Sequence, residues 1–380
     1  MGLNNVCFLP ADRNVHPVLN SRMALEIGVK FNSVLTAKIN NIIGDNRREF
    51  MAGKIVVIGG GIAGISAKLR NRKSKLVDEN PFMVMAPRII DILRGKSIDF
   101  AKINRNLDYT GKVTGVDLDE KTVNINGKNI AYEKLVIATG HSQKYDFING
   151  SKYIHGFSGL DDALYLRNQL VSRKKIVIIG GGYLGVELAG AMQNASITIL
   201  EAGNRILAGL PLKFSDYATQ LLEKNGVNIE LGNPVDEVKK DCVVSGTKKF
   251  DSDITLFAGG FTGNLPEIKQ ELKTKNARIV VNSFLQSVDY PDVYAAGDSM
   301  LVDNGGFIPM SAIIARSSGI TAMENAMDGR KPFVPDNFAN IIRVGDQYFG
   351  TIGNIFVHGS MARIIKEAAV ALSINHAREV

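Results

Sequence analysis

Short runs of β-branched residues, each followed by glycines and then by a segment with helical spacing, dominate the hydrophobic pattern of this chain. Residues 55–58 and 176–179 are two such runs, and each contains only isoleucine and valine. A continuous apolar run of this length is typical of a parallel strand that is buried on both faces. Apolar runs at 135–138, 254–258 and 293–296 continue the alternation of strands and helices. The pattern therefore predicts an α/β fold with parallel sheets.

The rest of the pattern divides into helices and short antiparallel strands. Helical spacing predicts helices at 61–70, 89–94, 214–225 and 309–327. Alternation of apolar and polar residues predicts strands at 111–118, 122–125 and 128–132. Residues 338–380 predict two short strands and a closing helix, which together form a small C-terminal α+β region.

Two glycine-rich turns join predicted strands to predicted helices, and both follow the spacing G-x-G-x-x-G. The first glycine permits a tight turn, the second leaves room for a pyrophosphate, and the third lets helix and strand pack closely. Free N–H groups at the helix start then bind the phosphates. The expected nucleotide contacts are Gly59, Gly61, Ile62, Ala63 and Gly64 in the first turn, and Gly180, Gly182, Tyr183, Leu184 and Gly185 in the second.

An acidic residue follows each turn at the distance where a carboxylate receives the ribose hydroxyls, about 20 residues past the first glycine. Asp78, with its neighbour Glu79, closes the second strand of the first unit, and Glu201 closes that of the second. A carboxylate repels a 2′-phosphate, so Glu201 favours NADH over NADPH. One such turn is weak evidence, but two with matching acids indicate two dinucleotides bound by one chain.

Composition narrows the function classes. Hydrophobic residues make up 45% and charged residues 22% of the 380, as in ordinary globular proteins. The sequence predicts no membrane span and no signal peptide, which favours the cytoplasm. The net charge of +7 is scattered, so it favours a solvated surface over nucleic-acid binding. Cys7 and Cys242 are the only cysteines, so we expect neither a dithiol of neighbouring cysteines nor a metal-ligand cluster.

Further motifs complete a family pattern. Ala138, Thr139 and Gly140 end one apolar strand, Gly297 and Asp298 end another, and Glu187 follows the second turn. With the two glycine turns, these residues resemble the two-dinucleotide-binding flavoproteins of the pyridine-nucleotide–disulfide reductase fold, over roughly residues 53–330. The resemblance implies FAD at the first turn and NADH at the second. It also implies FAD contacts from Ala138, Thr139, Gly140, Gly297, Asp298 and the backbone of Val113, and a second-site contact from Gly260.

The resemblance implies a domain organisation as well. Two Rossmann-like domains are expected, with the NAD domain inserted in the FAD domain. The expected FAD-binding domain comprises 51–156 and 258–335, the NAD-binding domain 157–257, and the C-terminal region 336–380. Residues 1–50 form an upstream extension, and a natural start at Met51 is one hypothesis for it.

Within that family, two stretches look like type II NADH dehydrogenases and sulfide:quinone oxidoreductases. They are the segment with Asn80, Pro81, Phe82, Pro87 and Asp91, and the segment with Gly111, Val113, Val116 and Asp117. The sulfide enzymes need cysteines facing the flavin, which this chain lacks, so the resemblance implies electron transfer from NADH through FAD to a quinone. One departure is clear, because residues 312–317 lack both glutamines of the Ala-Gln-x-Ala-x-Gln segment typical of the dehydrogenases.

The resemblance also assigns roles beside the flavin. Glu187 would fix the nicotinamide end of NADH, although a glutamate near a helix start also favours the helix dipole. Pro87 would line the flavin edge, or would simply be a turn proline. The N–H groups of Ala312 and Ile313 are expected to stabilise negative charge on the reduced flavin.

The closing helix leaves the partner open. Its apolar face is Met361, Ile364, Ile365, Ala368, Ala369 and Leu372, which suits a helix in the core, a homodimer contact, or peripheral contact with the inner face of a membrane. Two other readings of the chain stand beside the quinone dehydrogenase. One is a reductase for a small electron carrier such as ferredoxin or rubredoxin. The other is a non-catalytic flavoprotein like the relatives of apoptosis-inducing factor.

Overall fold

The computed structural model describes residues 54–192, 194–303, 305–306, 308–335 and 338–380. The expected extension at 1–50 and the proposed start at Met51 lie outside these residues.

The first parallel sheet is built from two separate stretches of the chain. Its spatial order is β22 (Val293–Ala295), β9 (Lys134–Ile137), β1 (Ile55–Ile58), β2 (Lys75–Asp78) and β5 (Tyr109–Thr110). Helix α1 (Ile62–Arg70) follows β1, and α6 (Ala312–Ala326) packs along α1 and against β22. β1, residues 135–137 of β9 and the whole of β22 are buried, and the apolar side chains of these three adjacent strands form much of the first core.

The second parallel sheet repeats this plan. Its order is β11 (Ile154–His155), β18 (Ile254–Phe257), β12 (Lys175–Ile179), β13 (Ser196–Glu201) and β14 (Asn228–Leu231). Its helices are α3 (Leu160–Gln169), α4 (Tyr183–Ala191) and α5 (Leu212–Lys224). Since β11 belongs to this sheet, the second unit starts to form its sheet three residues before position 157.

Small antiparallel sheets decorate both units. One meander contains β6 (Val113–Asp117), β7 (Thr122–Ile125) and β8 (Lys128–Ala131), and another contains β15 (Glu237–Val238), β16 (Cys242–Ser245) and β17 (Lys248–Asp251). A third small sheet is mixed: β20 (Thr274–Lys275) pairs antiparallel with β21 (Arg278–Val281), which pairs parallel with β23 (Met300–Val302). Two pairs remain: β3 (Phe82–Val84) with β4 (Lys102–Asn104), and β10 (His141–Ser142) with β19 (Thr262–Gly263).

The C-terminal region differs from its prediction. It contains three antiparallel strands, not two: β24 (Ala339–Val344), β25 (Gln347–Ile352) and β26 (Ile355–His358). The turn at 345–346 supplies the left-handed glycine Gly345, so the chain reverses once more than the apolar pattern indicated. The closing helix, α7, runs over Ser360–Arg378. The sheet packs on α4 and α5, while the end of α7 packs on α1, so this region touches both units.

The helix predicted at 89–94 also starts earlier than expected. Helix α2 covers Ala86–Leu93 and has Pro87 in its first turn. A proline there needs no N–H partner and has a φ suited to the helix. Pro87 is therefore a helix-start residue, which corrects its interpretation as a turn proline.

Candidate active site

The first glycine turn (59–64) has three physically different glycines. Gly59 has a φ of +97°, and a Cβ there would collide with the carbonyl of Ala138 on the neighbouring strand. A Cβ on Gly64 would collide with the carbonyl of Gly59, so α1 can approach β1 only with glycine at this position. Gly61 differs from both, because its Cβ would meet no atom within 4 Å. The open side of the turn is therefore at Gly61, where a phosphate would approach.

Helix α1 presents its free N–H groups to this open space. Its first backbone hydrogen bond runs from Ile65 N to the carbonyl of Gly61. The N–H groups of Ile62, Ala63 and Gly64 consequently have no acceptor within the helix. No side chain of the residue that precedes the helix caps them, because that residue is glycine. This arrangement can bind an anion.

The second glycine turn (180–185) repeats the geometry. Gly180 has a φ of +106°, and its Cβ would lie 2.6 Å from the carbonyl of Ala258. Gly182 faces open space within 4 Å, as Gly61 does. The first hydrogen bond of α4 runs from Val186 N to Gly182, so the N–H groups of Tyr183, Leu184 and Gly185 lack helical acceptors.

Each predicted ribose carboxylate lies against its own turn. Asp78 Oδ2 accepts a hydrogen bond of 2.7 Å from Gly60 N, and Glu201 Oε2 accepts one of 2.7 Å from Gly181 N. Glu201 also accepts a 2.7 Å bond from Gly203 N. The exposed Glu79 lies one residue beyond this contact. The two acids occupy equivalent positions, at the edge where an adenosine ribose would lie.

Two loops of the first unit are joined to each other beside the turn. The Ser299 hydroxyl lies 3.0 Å from Gly140 N and 3.2 Å from the Thr139 hydroxyl. Asp298 Oδ2 lies 2.7 Å from His141 Nδ1, and the centroid of the His141 ring lies 4.2 Å from that of Phe261, with the two rings tilted by 60°. Because an ionised carboxylate only accepts, His141 carries its proton on Nδ1.

Sequence reasoning missed Ser299 and His141, although each directly follows a motif residue. One oxygen of Asp298 is held by His141, and this bond fixes the orientation of the carboxylate. Gly297 N donates to the buried Ser318 hydroxyl of α6 at 2.9 Å, which fixes this turn to the helix. The described structure thus places Ala138–Gly140 and Gly297–Asp298 together.

The start of α6 leaves two particular N–H groups free of helical partners. Ser311 caps the helix by accepting from Ile314 N at 3.3 Å. Ala315 N bonds to the carbonyl of Ser311. The N–H groups of Ala312 and Ile313 remain, and they are the two that were assigned to the reduced flavin. Their role stays a prediction.

Glu187 and Pro87 line one cavity of about 280 Å³ between α2, α4, β24 and α7. The Glu187 carboxylate pairs with the Lys366 ammonium of α7 and accepts from Arg343 N at 3.1 Å. Both side chains are mostly buried: Glu187 is 17% exposed and Lys366 is 18% exposed. Sequence analysis could not find Lys366, because it lies 179 residues from Glu187 and in no motif.

Arg343 extends this polar cluster to the other wall of the cavity. Its guanidinium lies 2.5 Å from Asp91 of α2, a residue of the quinone-enzyme motif. Burial lowers the pKa of Arg343, but the hydrogen bond and charge of Asp91 outweigh burial and raise it overall. This cluster therefore contains two ion pairs, Glu187 with Lys366 and Asp91 with Arg343. Its residues come from α2, from α4 and from the C-terminal region.

The remaining predicted contacts are more dispersed. Val113 lies at the start of β6 opposite Ile125, and Gly260 has a φ of +123° just after β18. No contact among the described residues links either one to a nucleotide site, so both remain predictions. Cys242 is half-buried in β16 and is a free thiol.

Comparison with known proteins identifies the family. The pattern of the family named "Pyridine nucleotide-disulphide oxidoreductase" matches residues 53–319. The ferredoxin–NAD(+) reductase component of the p-cumate 2,3-dioxygenase system of Pseudomonas putida is 27% identical over 278 residues, covering 67% of this chain and 69% of that protein. An NADH oxidase of Enterococcus faecalis is 27% identical over 230 residues, which cover 56% of this chain and 51% of the oxidase. The chain thus spans about half the length of that relative.

Solved structures show the same fold. NDH2 from Plasmodium falciparum, in complex with NADH, superposes with a TM-score of 0.73 at 16% identity, covering 86% of this chain and 96% of that one. The α/β fold and the family expected from the sequence are both confirmed. The chain belongs to the pyridine nucleotide-disulphide oxidoreductase family, and it is an NAD(H)-dependent flavoprotein oxidoreductase that uses FAD and NADH.

Proposed function

We propose that this protein is an NADH dehydrogenase that passes electrons from NADH, through FAD, to a quinone bound in the cavity lined by Glu187 and Pro87. The observation that carries the proposal is the composition of this cavity. It brings the two residues assigned to the flavin and nicotinamide together with Lys366 and Arg343 from the C-terminal region. No described cysteine lies in it, so electrons have no dithiol to pass through.

The residues of the first unit fit FAD. The turn is open at Gly61, three N–H groups lack helical acceptors, and the Asp78 carboxylate stands at the ribose position. FAD, when bound, accepts a hydride from NADH and can release the electrons to a second substrate. The second turn holds NADH through the same kind of contacts, and Glu201 disfavours a 2′-phosphate.

The cavity suits the headgroup of a quinone in size and lining. Its volume of about 280 Å³ is close to the lower end of the roughly 300–1,000 Å³ typical of small-molecule sites. Pro87, Phe100 and Val370 supply apolar surface for a ring. The ammonium of Lys366 supplies a hydrogen-bond donor for a carbonyl oxygen.

Reduction of a quinone to a hydroquinone takes two electrons and two protons. NADH supplies the two electrons and one of the protons as a hydride. Lys366 Nζ would donate the second proton to a quinone oxygen and recover it from solvent, while Glu187 stabilises the ammonium before transfer. Arg343 keeps Glu187 in place through its backbone N–H, and Asp91 in turn holds the Arg343 side chain. These residues orient and protonate the acceptor, while the reducing electrons come from the cofactor.

A reductase for a small carrier protein is the second candidate. Arg88, Lys96 and Arg363 line the cavity, and Lys96 and Arg363 are exposed. A cationic rim attracts an acidic partner and raises its association rate. The P. putida relative is named as a ferredoxin–NAD(+) reductase component, which supports this reading for our chain as well.

An anaerobic experiment decides between them. Protein is reduced with one equivalent of NADH, the loss of flavin absorbance is recorded, and reoxidation is timed with menaquinone or ubiquinone analogues, a ferredoxin, a rubredoxin, or oxygen. The proposal expects quinone to reoxidise the protein at least 10-fold faster than any carrier or oxygen. Faster reoxidation by a carrier favours the second candidate, and a flavin that NADH does not bleach favours a non-catalytic flavoprotein.

Substitution of Lys366 tests the site itself. We expect Lys366→Met to slow quinone reoxidation by about 10- to 100-fold, since general acid catalysis contributes on the order of 10²-fold or more. The rate of flavin reduction by NADH should change by less than threefold. Lys213→Met is the matched control, because Lys213 lies on the ring of Phe356 and outside the cavity. Equal rates in both variants would show that the cavity does not hold the acceptor.

We also propose peripheral membrane contact through α7. Met361, Ile364 and Leu372 face solvent on this helix, with Ile364 67% exposed. An apolar stripe beside basic residues is typical of a helix that lies at a membrane surface. Among the described residues, no helix is both long and apolar enough to cross a bilayer. A second copy of the chain is the alternative occupant of the stripe.

A further inference from the structure

A buried arginine distinguishes the FAD turn from the NADH turn. Arg105 follows β4, and its side chain is only 2% exposed. Burying a guanidinium is unfavourable unless its charge and its N–H donors are compensated. Burial accordingly lowers the pKa of Arg105, although Asp78 acts in the opposite direction. The residue belongs to none of the motifs found in the sequence.

The contacts of Arg105 all lie at the adenosine end of the first turn. One terminal nitrogen lies 2.9 Å from Asp78 Oδ1 and 2.9 Å from the carbonyl of Asn80. The guanidinium covers Gly60 so closely that a Cβ there would lie 2.5 Å from the other terminal nitrogen. Arg105 therefore occupies the space that a side chain at position 60 would enter.

The donors of this guanidinium exceed its acceptors. A guanidinium has five N–H groups. In the described structure, Asp78 and Asn80 occupy a single terminal nitrogen, and Nε is buried without a hydrogen-bond partner. A buried donor of this kind normally finds a partner, and an unpaired one is costly. The described structure thus gives this guanidinium more N–H donors than acceptors, and an acceptor on a group bound at this turn would complete its hydrogen bonding.

The second turn is the internal comparison. Its Gly181 makes the same bond to an acid as Gly60 does. The space above it, however, is filled by the apolar Ile206, whose Cγ2 lies 2.6 Å from the position of a Gly181 Cβ. Glu201 is bonded to two backbone N–H groups and to no described cation. The two turns therefore have the same backbone conformation and the same bond to an acid, but only the first has a cation, Arg105, beside that acid.

We propose that Arg105 adds to the preference for FAD over FMN, by donating its free N–H groups to the adenosine diphosphate half of FAD while it holds Asp78 for the ribose hydroxyls. FMN lacks that half, so it cannot use the contact. The adenosine diphosphate group carries two negative charges, and a guanidinium pairs with phosphate through several directed hydrogen bonds. This inference rests on the family membership and is independent of the acceptor.

Titration of apoprotein with FAD and with FMN, by calorimetry and by flavin fluorescence, tests the inference. Arg105→Gln should weaken FAD by about 10- to 100-fold, the effect of one or two charge-assisted bonds, and change FMN affinity by less than threefold. Arg105→Lys keeps the charge but loses the planar donors, so we expect an intermediate loss for FAD. Arg94→Gln, which removes an ion pair with Asp346 far from the turn, is the control.

Each result has a defined meaning. A FAD-to-FMN affinity ratio that collapses in Arg105→Gln and partly in Arg105→Lys supports the inference. A ratio within threefold of the starting protein in either folded variant overturns it, as does equal weakening of both flavins, which indicates a purely structural role. If Arg105→Gln does not fold, the Arg105→Lys titration decides alone. NADH affinity of the second turn should stay constant throughout.

Discussion

The glycines of the two turns fall into two physical classes. Gly59, Gly64, Gly180 and Gly185 have no space for a side chain because backbone atoms fill it. Gly61 and Gly182 have that space free within 4 Å, so the protein itself does not require glycine there. We therefore expect the requirement to come from a pyrophosphate that approaches the backbone. The two classes should respond differently to substitution.

We expect Gly61→Val and Gly182→Val to fold normally but to lose one nucleotide each. Gly61→Val should weaken FAD at least 10-fold and leave NADH within threefold, and Gly182→Val should do the reverse. The reason is that each isopropyl group enters the phosphate space and no protein atom. Thermal unfolding of the apoproteins, which should change by less than ~1 kcal/mol, and nucleotide titrations check this.

Gly59→Ala provides the contrast. Its φ of +97° and the nearby Ala138 carbonyl make any side chain unfavourable, so we expect a loss of roughly 2–4 kcal/mol in the free energy of unfolding. Equal destabilisation by Gly61→Val and Gly59→Ala would contradict the distinction between the two classes.

At this scale, the sequence identified residues only where spacing along the chain carries the information. Asp78 and Glu201 were found because the distance from a glycine turn to the end of the next strand is set by one helix. Arg105, Lys366 and His141 reach the site through tertiary packing or lie outside the motif spacing. Such contacts cannot be deduced from the spacing of residues in a single sequence, so these residues were identified only in the structure.

Helix α7 is the element that joins the C-terminal region to the first unit. Near its start, Lys366 pairs with Glu187 of α4. Near its end, His376 Nε2 lies 3.1 Å from the Ser66 hydroxyl of α1, which itself donates to the carbonyl of Ile62. His376 therefore donates through Nε2 to the Ser66 hydroxyl.

This contact makes stability depend on pH. Burial, together with the charge of Arg316, lowers the pKa of His376 from its ordinary 6.5 to about 4. Since the unfolded chain binds the proton more tightly than the folded one, stability is complete above pH 6.5 and falls as the pH drops from 6.5 towards 4. For this part-exposed ring we expect a loss on the order of 1 kcal/mol.

Urea unfolding at pH 7.5 and pH 4.5 measures this loss. His376→Gln keeps a donor for Ser66 but has no titrating group, so the part of the pH dependence due to position 376 should vanish. His358→Gln, on the exposed side of β26, is the control and should keep the pH dependence. An unchanged pH slope in His376→Gln would remove His376 as its source.

Elements were predicted well where one buried face dominates and poorly where two apolar faces compete. The central strands of both parallel sheets follow from continuous apolar runs, whereas the two-residue edge strands β5 and β11 have no such run and were not predicted. In α7, helical periodicity was correct, but Ala362, Ile374 and Ala377 are the buried residues, while Met361, Ile364, Ala369 and Leu372 of the predicted apolar face are exposed. Periodicity alone does not say which of two apolar stripes meets a neighbour.

The part of the molecule that the structure describes consists of two similar nucleotide-binding units and a C-terminal region in contact with both. The C-terminal sheet shares its core with the second unit through Ile342, Val344 and Phe349, and the end of α7 shares the core of the first through Ile374 and Ala377. The proposed acceptor cavity lies where these parts meet. The repeated turns made the two units predictable, whereas their junction depends on residues more than 150 positions apart.

The solvent-facing apolar stripe of α7 predicts that the protein binds to the surface of anionic membranes. Ile364→Ser with Leu372→Ser should reduce co-sedimentation with anionic phospholipid vesicles about 10- to 30-fold, because burial of these partly exposed side chains contributes roughly 2 kcal/mol in total. Val171→Ser, which removes an 89% exposed apolar residue from the second unit, should leave binding unchanged. Light scattering after size exclusion separates the alternative: a dimer that the double variant converts to a monomer, with no vesicle binding in either form, would assign the stripe to a second copy of the chain.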